Sequence, residues 1–228
     1  MSKLDKKKIL ITGSSGFIGT NMMNFYLQKI EYDVLGIDIV TPRVQKHSKY
    51  FKRTDILDLE KLKNTIVEYE PDFVIHLAAT TDINEKDGLQ HYASNIKGVE
   101  NVMKACNDCK SLQRMIIASS MLVNRAGYYP ENFNDYNPTT LYGKSKVKTE
   151  QIVKTFNASN FEWILIRLTS IWGEWFKEPY RNFFDMVLGK KFFHPSNKAC
   201  TKTYGYVGNI TFQIDKLLFA DSVLVNKK

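Results

Sequence analysis

The chain has 228 residues, of which 43% are hydrophobic and 25% charged, and its formal net charge is +8. This is the composition of a globular protein, and the length suffices for one full domain with a small appendage. No apolar run is long enough to span a membrane, the three cysteines do not suggest a disulfide framework, and the scattered lysines form no basic stripe with interleaved aromatic residues. We therefore expect no membrane and no nucleic-acid partner. Because no signal peptide precedes the first strand, we expect a cytoplasmic protein.

A β-type run at residues 8–12 leads through Gly13, Gly16 and Gly19 into a helix pattern. A strand that turns directly into a helix points backbone N–H groups and the positive helix end at one spot, which suits a pyrophosphate. Gly13 would permit the tight turn, Gly16 the approach of phosphates to the backbone, and Gly19 the close packing of helix on strand. The alternative is a glycine-rich turn without a ligand, because the spacing is not that of the commonest dinucleotide fingerprint.

The second β-type run, residues 32–38, ends in an acid. Asp38 comes 19 residues after Gly19, close to the spacing expected for a carboxylate that binds the adenosine ribose hydroxyls of a dinucleotide. A carboxylate there also repels a 2′-phosphate, which favours NAD over NADP. Arg43 is near enough in sequence to weaken that preference.

Two further runs predict strands at residues 50–56 and 72–79. Asp55 follows the first, where it could bind an adenine edge; equally, Asp55 or Asp58 could cap the helix predicted at residues 59–69. The small residues that end the second would let a flat cofactor lie against the backbone. His76 lies inside that apolar run, and we interpret it as a hydrogen-bonded core histidine rather than as a ligand.

A long helix is predicted over residues 90–106. Asn95 lies in its buried stripe, needs a polar partner, and could support an active site. Cys106 and Cys109 form a C-x-x-C pattern at the carboxyl end of this helix, where the dipole disfavours a thiolate. We interpret them as two unrelated reduced thiols, and we predict no metal site.

The fifth strand, residues 114–120, ends in hydroxyl side chains at the edge where open α/β sheets bind ligands. The next helix is predicted from about residue 138 to 157 and carries Tyr142 and Lys146 on one face, unless these are merely an exposed aromatic and a surface lysine. A sixth strand at residues 163–168 completes an α/β pattern of the Rossmann type, a doubly wound parallel sheet.

The alternation of β-type runs and helix patterns ends after residue 168. We therefore divide the chain into a dinucleotide-binding domain, residues 1–168, and a small substrate-binding or capping segment, residues 169–228. Helices are predicted at 179–188 and 207–219. The aromatic residues of this segment could shape a substrate pocket or simply form a small core.

Together these motifs resemble the NAD-dependent epimerase/dehydratase family of extended short-chain dehydrogenase/reductases, which act on nucleotide sugars. The matching pieces run in the family's order from residue 8 to 173: the glycine turn, Asp38, Asp55-Ile56, His76-Leu77-Ala78-Ala79, Asn95-x-x-Gly98, Ser119-Ser120, Tyr142-x-x-x-Lys146 and Arg167. The resemblance implies NAD as cofactor. The cofactor-binding residues that it implies are Gly13, Ser15, Gly16, Phe17, Ile18, Asp38, Asp55, Ile56, Leu77, Ala78, Ala79, Asn95, Tyr142 and Lys146.

The resemblance also implies three catalytic roles. Tyr142 would be the general acid/base on a sugar hydroxyl, Lys146 would bind the nicotinamide ribose and lower the pKa of Tyr142, and Ser120 would hydrogen-bond the reacting oxygen. The implied reaction is a hydride transfer at a ring carbon of a nucleotide sugar, as in an epimerase or ketoreductase. Met121 and Leu122 stand where the dehydratases of the family carry an acid pair, which argues against dehydration.

Two other functions fit the sequence: a non-catalytic, redox-sensing dinucleotide module, and a reductase acting on a carbonyl compound that carries no nucleotide. Family members extend well beyond the end of this chain, so the substrate lobe would be minimal, truncated or completed by a neighbouring subunit. The family often pairs through a two-helix face, which makes a homodimer an expectation here.

Overall fold

The computed structural model describes residues 6–157, 160–177, 181–193 and 202–224. Its main sheet has six parallel strands in the order β3-β2-β1-β4-β5-β6. These strands are β1 (Lys7–Thr12), β2 (Tyr32–Asp38), β3 (Phe51–Arg53), β4 (Phe73–His76), β5 (Arg114–Ser120) and β6 (Glu162–Leu168). The predicted doubly wound sheet is confirmed. Its order reverses between β1 and β4, and ligands of such sheets bind at the carboxyl ends of the strands beside that point.

Within the described ranges, six α-helices and a second sheet accompany these strands. The helices are α1 (Phe17–Tyr26), α2 (Leu59–Tyr69), α3 (Val99–Asn107), α4 (Leu141–Thr155), α5 (Arg181–Leu188) and α6 (Val207–Leu218). β7 (Ser170–Trp172) and β8 (Tyr204–Tyr206) form a separate parallel pair. Among the helices of the described ranges, none has the length and apolar character that crossing a bilayer requires.

The hydrophobic core lies in two layers, one on each face of the main sheet. On one face α2, α3 and α4 bury residues such as Ile66, Met103 and Val153 against the strands. On the other face α1 contributes Met22 and α6 contributes Ile214. Since α6 shares a core with α1, the last helix of the predicted second segment packs on the main sheet, and the division at residue 168 stays a prediction.

The prediction of a single helix at residues 90–106 is wrong. The structure has a 3-10 turn at Leu89–Tyr92, a π-type turn at Ser94–Gly98 and then α3. A wide turn frees backbone carbonyls, and the carbonyl of Asn95 accepts a hydrogen bond from Thr149 Oγ1 at 2.5 Å. In this segment the Asn95 carbonyl therefore bonds to a side chain of α4.

Two smaller predictions are resolved by local contacts. Asp58, not Asp55, caps α2, because its carboxylate accepts from the Lys61 N–H at 3.1 Å. Cys106 and Cys109 are buried free thiols, as predicted. Burial raises the pKa of the Cys106 thiol well above its ordinary value, which keeps it protonated and unreactive.

Candidate active site

The glycine turn between β1 and α1 depends on two very close backbone approaches. Gly13 has φ +70°, and a Cβ there would lie 2.6 Å from the Ala78 nitrogen. A Cβ at Gly19 would lie 2.1 Å from the Gly13 oxygen. Both glycines therefore let β1, α1 and the end of β4 come together, as the sequence predicts for Gly13 and Gly19.

Gly16 differs from the other two glycines. A Cβ there would meet only the Gly13 oxygen, at 3.1 Å, so the space beside it opens to solvent. Gly16 is also the N-cap of α1, no side chain caps this helix end, and the first turn, which begins with Phe17 and Ile18, carries no acidic residue. Uncapped N–H groups beside an open space form a cradle that fits a dinucleotide diphosphate.

Asp38 at the end of β2 lies beside this turn. Its carboxylate accepts from the Ser15 N–H and the Val40 N–H, both at 3.0 Å. Ser15 is buried, and its hydroxyl donates to the Val40 carbonyl at 2.7 Å. Asp38 thus joins the glycine turn to the loop after β2 and keeps lone pairs that can accept ribose hydroxyls, while direct contact of Ser15 with a cofactor stays a prediction.

The end of β4 closes the same crevice. Thr12 Oγ1 lies 2.7 Å from Nδ1 of His76 and accepts from the Ala78 N–H at 3.2 Å. Burial, with a smaller contribution from the charge of Lys146, lowers the pKa of His76 to about 3, so the ring is neutral. The prediction of a hydrogen-bonded core histidine is confirmed. Leu77, Ala78 and Ala79 follow half-buried at the edge of the crevice.

Asn95 supports this edge from α3's side of the sheet. Its amide donates to the Thr80 carbonyl at 3.0 Å and to Ser145 Oγ at 2.9 Å, while its oxygen accepts from the Thr80 N–H at 2.8 Å. The buried side chain therefore ties the loop after β4 to α4. The prediction that Asn95 needs a polar partner is confirmed, whereas its direct contact with a cofactor stays a prediction.

Asp55 and Ile56 follow β3. The Asp55 carboxylate is exposed and accepts from the Leu57 N–H at 2.9 Å, while the Ile56 carbonyl accepts from Asn101 at 3.0 Å. These bonds fix the loop beyond β3 against α3. Binding of an adenine edge at Asp55 and Ile56 stays a prediction.

α4 begins beside the end of β5. Its N-cap Thr140 accepts from the Gly143 N–H at 2.9 Å, and a Cβ at Gly143 would lie 2.2 Å from the Leu122 oxygen. The first turn is thereby held against the loop that follows Ser120. Tyr142 lies in this turn, half-buried, with its ring centroid 6.2 Å from that of Tyr92.

The phenol of Tyr142 lies close enough to Ser120 for that hydroxyl to influence its pKa. Burial raises the pKa of Tyr142 to about 12, and the hydrogen bond with Ser120 opposes the shift without cancelling it. In the protein alone the phenol is therefore protonated at neutral pH. The family resemblance implies that Lys146 lowers this pKa, but in the protein alone the group that lowers it is Ser120.

Lys146 is buried one turn along α4, and its Nζ donates to the Ala118 carbonyl at 2.9 Å. Burial lowers its pKa to about 8, and the charge of Glu150 opposes that shift. The ammonium form still predominates at pH 7. A phenol, a hydroxyl and an ammonium thus meet at the carboxyl end of β5, at the same sheet edge as the glycine turn.

The sequence also matches a known protein family. The model of the family described as "NAD dependent epimerase/dehydratase family" matches residues 9–191. This chain belongs to that family.

Two curated relatives of this family member are each 26% identical to it. One is a dTDP-D-glucose 4,6-dehydratase of Dictyostelium discoideum, matched over 93% of this chain and 55% of the relative. The other is a UDP-glucose 4-epimerase of Drosophila melanogaster, matched over 70% of this chain and 51% of the relative. The chain thus spans about half the length of these relatives.

A solved structure with the same fold is the UDP-glucuronic acid 4-epimerase of Bacillus cereus, in complex with UDP-glucuronic acid and NAD. It superposes with a TM-score of 0.79 at 22% identity, over 96% of this chain and 75% of that one. The likeness establishes the fold of this family member, including the parallel sheet and its strand order.

Sequence reasoning missed one set of contacts beside the glycine turn. Asn21 Nδ2 donates to the Glu174 carbonyl at 2.9 Å, and Arg43 donates through Nε to the Ser15 carbonyl at 2.9 Å and through Nη1 to the Trp175 carbonyl at 3.3 Å. The rings of Phe17 and Phe176 lie 5.6 Å apart. Residues 174–176 are therefore held against α1, a contact between distant parts of the chain that no local pattern signals.

The later part of the chain follows its predictions where it is described. The helix predicted at 179–188 is seen as α5 from Arg181, while residues 179 and 180 lie outside the described ranges. The helix predicted at 207–219 is α6. Aromatic rings of α5, β7 and β8 contact one another, among them Phe184, Trp172 and Tyr204. These contacts fit a small aromatic core and leave the substrate pocket a prediction.

Proposed function

We propose that this chain is an NAD-dependent enzyme that oxidises or reduces a ring carbon of a nucleotide-activated sugar, as an epimerase or a ketoreductase does. The observation that carries the proposal is the arrangement of Ser120, Tyr142 and Lys146 at the sheet edge that also holds the glycine turn. A redox-sensing module would not require a buried lysine one turn from a half-buried tyrosine, and the family membership favours catalysis.

NAD fits the residues present. We propose that Gly16 and the first turn of α1 hold its diphosphate, that Asp38 accepts its adenosine ribose hydroxyls, and that Tyr142 and Lys146 face its nicotinamide ribose. When bound, NAD supplies the hydride chemistry of such a reaction. The carboxylate of Asp38 would meet a 2′-phosphate with like charge, which favours NAD over NADP.

Tyr142 is proposed as the group that exchanges a proton with the sugar hydroxyl. With a pKa near 12 the phenol is a proton donor at neutral pH, ready for the reductive direction. To accept a proton it needs nearby positive charge, and we propose that the ammonium of Lys146 supplies part of it once the cofactor is bound. Ser120 is proposed to hydrogen-bond the same reacting oxygen.

The substrate class is proposed from the relatives. Their names cite sugars linked to dTDP or UDP, and the solved epimerase holds UDP-glucuronic acid. Met121 and Leu122, which follow Ser120, are exposed apolar side chains that cannot transfer protons. We therefore propose epimerisation or reduction rather than dehydration.

A ligand panel and one substitution test this function. NAD should raise the melting temperature more than NADP does, and one class among UDP-, GDP- and dTDP-sugars should raise it further, because ligands that bind only the folded state stabilise it. Failure of every dinucleotide to raise it would overturn the proposal.

Tyr142→Phe should keep NAD binding and lose turnover by about 10²-fold or more, because the proton donor is removed while the ring remains. Tyr129→Phe is the matched control, since the side chain of Tyr129 is 90% exposed. Steady-state rates with the sugar nucleotide found in the ligand panel measure both variants. Turnover of Tyr142→Phe equal to that of the control would refute the assignment.

We further propose that the protein works in the cytoplasm as a homodimer. Its two buried free thiols, Cys106 and Cys109, suit a reducing compartment. Pairing through a two-helix face is supported by the family resemblance. Light scattering of the purified protein would test it, and a monomer mass at micromolar concentration would count against it.

A further inference from the structure

Three consecutive residues at the carboxyl end of β5 each contact α4. Their partners on α4 are spaced one helical turn apart, which makes the end of β5 and this face of α4 one joined unit. The pairs are Ser120 with Tyr142, Ala118 with Lys146, and Ser119 with Glu150. The first two pairs belong to the proposed active site, and the third has no role in it so far.

Glu150 is fully buried, and its carboxylate accepts five hydrogen bonds. Ser119 Oγ donates at 2.6 Å and Tyr136 OH at 2.9 Å. Arg167 on β6 donates through Nε at 2.9 Å and through Nη2 at 2.8 Å, and Lys154 Nζ lies at 3.4 Å. Burial works against the ionised form, but the bonds from Arg167, Ser119 and Tyr136 prevail, so the pKa of Glu150 lies below its ordinary value.

The guanidinium group of Arg167 is itself held in place. Its Nη2 donates to the Phe133 carbonyl at 2.5 Å, and its guanidinium lies 4.0 Å from the centre of the Phe133 ring. A bidentate pair between a fixed guanidinium and a buried carboxylate has a single geometry. Glu150 therefore cannot turn away from the end of β5 without breaking that pair.

We propose that Glu150 is a positioning residue of the active site: held by Arg167, it aligns the end of β5 through Ser119 and supplies the fixed negative charge that the Lys146 ammonium faces one helical turn away. This inference rests on the proposed function only in naming Lys146 as a cofactor-binding group. The contacts that carry it belong to the fold itself.

The charged groups around Lys146 leave Glu150 as its one favourable neighbour among the described residues. On α4 itself Tyr142 is neutral at pH 7. From β4, His76 is neutral as well. From β6, Arg167 is a cation bound to the carboxylate of Glu150, and Lys154 on α4 is a second cation near it. Removing the negative charge of Glu150 would leave the buried ammonium of Lys146 without that favourable neighbour.

The opposite signs of Glu150 and Arg167 provide the test. Glu150→Gln should move the titration midpoint of Lys146 down by about one pH unit, because a fixed negative charge is lost. Arg167→Gln should move it up, because the carboxylate is left without its main counter-charge. The double variant, Glu150→Gln with Arg167→Gln, removes both charges together and should give a midpoint between those of the two single variants.

The midpoint is read by NMR from the 13Cε shift of Lys146 in lysine-labelled protein, assigned with Lys146→Met. Opposite shifts in the two single variants support the proposal. The proposal is overturned if the midpoint is unchanged in Glu150→Gln, or if both single variants move it in the same direction. Structural damage alone would not move the midpoint in opposite directions in the two variants. If either single variant fails to fold, the double variant against the other single variant gives the same comparison.

NAD affinity measured from pH 6.5 to 9.5 separates this inference from the proposed function. The alkaline fall in affinity should move with the Lys146 midpoint in each variant. If wild-type protein binds no NAD at any pH, the proposed function fails, whereas the NMR result still decides the role of Glu150.

Discussion

At the scale of single residues, the three glycines of the first turn have different tasks. Gly19→Ala places a Cβ 2.1 Å from the Gly13 oxygen, so it should destabilise the fold strongly. Gly16→Ala meets only one atom, at 3.1 Å, in an extended conformation open to any residue, and should destabilise the fold far less than Gly19→Ala. The same methyl group occupies the proposed diphosphate cradle, so NAD affinity should fall by about 10-fold or more.

Thermal unfolding and calorimetric titration with NAD measure these two effects. Wild-type affinity in Gly16→Ala would place the diphosphate elsewhere. A stable, wild-type-like Gly19→Ala would show that α1 does not need its close approach to β1.

The same scale shows what a sequence can and cannot predict about the site. The glycine spacing, Asp38, and the Tyr142–Lys146 pair are local patterns, and each lies where the pattern indicates. The bidentate bond between Glu150 and Arg167 is not local, since it joins α4 to β6 and depends on how the two elements pack. A buried glutamate on a helix has no sequence signal until its arginine partner is known.

At the scale of elements, α4 carries two of the three proposed catalytic residues in its first two turns, so its start matters most. Thr140→Ala removes the acceptor of the Gly143 N–H and should cost about 1 kcal/mol of stability, whereas Thr140→Ser should keep it. Thr155→Ala, at the exposed last turn, is the control. Urea unfolding measures all three variants, and equal stability of Thr140→Ala and the control would rule out the cap as a stabilising contact.

Most strands and helices were predictable because their apolar periodicity and their end signals agree. The segment 89–107 was not, since its helical periodicity continues through a π-type turn in which the Asn95 carbonyl accepts from Thr149 on another helix. Periodicity reports which face is buried; it does not report a hydrogen bond that widens one turn.

At the scale of the whole molecule, the neutral core histidine links folding to pH. His76 has a pKa of about 3 when folded, against 6.5 as its ordinary value, so between these values the unfolded chain binds one proton more. Stability should therefore fall as pH drops below 6.5, by up to about 1.4 kcal/mol per pH unit from this group. His76→Gln should reduce that slope.

Urea unfolding at several pH values from 5 to 7 measures the slope. His47, which is also buried and whose pKa is also lowered by burial, contributes to the remaining slope in every variant. An identical slope in wild-type protein and His76→Gln would mean that the folded histidine takes up a proton.

The attachment of residues 174–176 to α1 and Arg43 has a consequence for kinetics. This stretch leads out of the β7 strand, and its two hydrogen bonds and one ring contact are made beside the place proposed for the dinucleotide. A dinucleotide bound there would lie next to this stretch. The position of the stretch would therefore affect how the dinucleotide enters and leaves the site. We therefore expect that weakening the contact between Asn21 and Glu174, which are 153 positions apart in the chain, would change the residence time of a dinucleotide at the first helix.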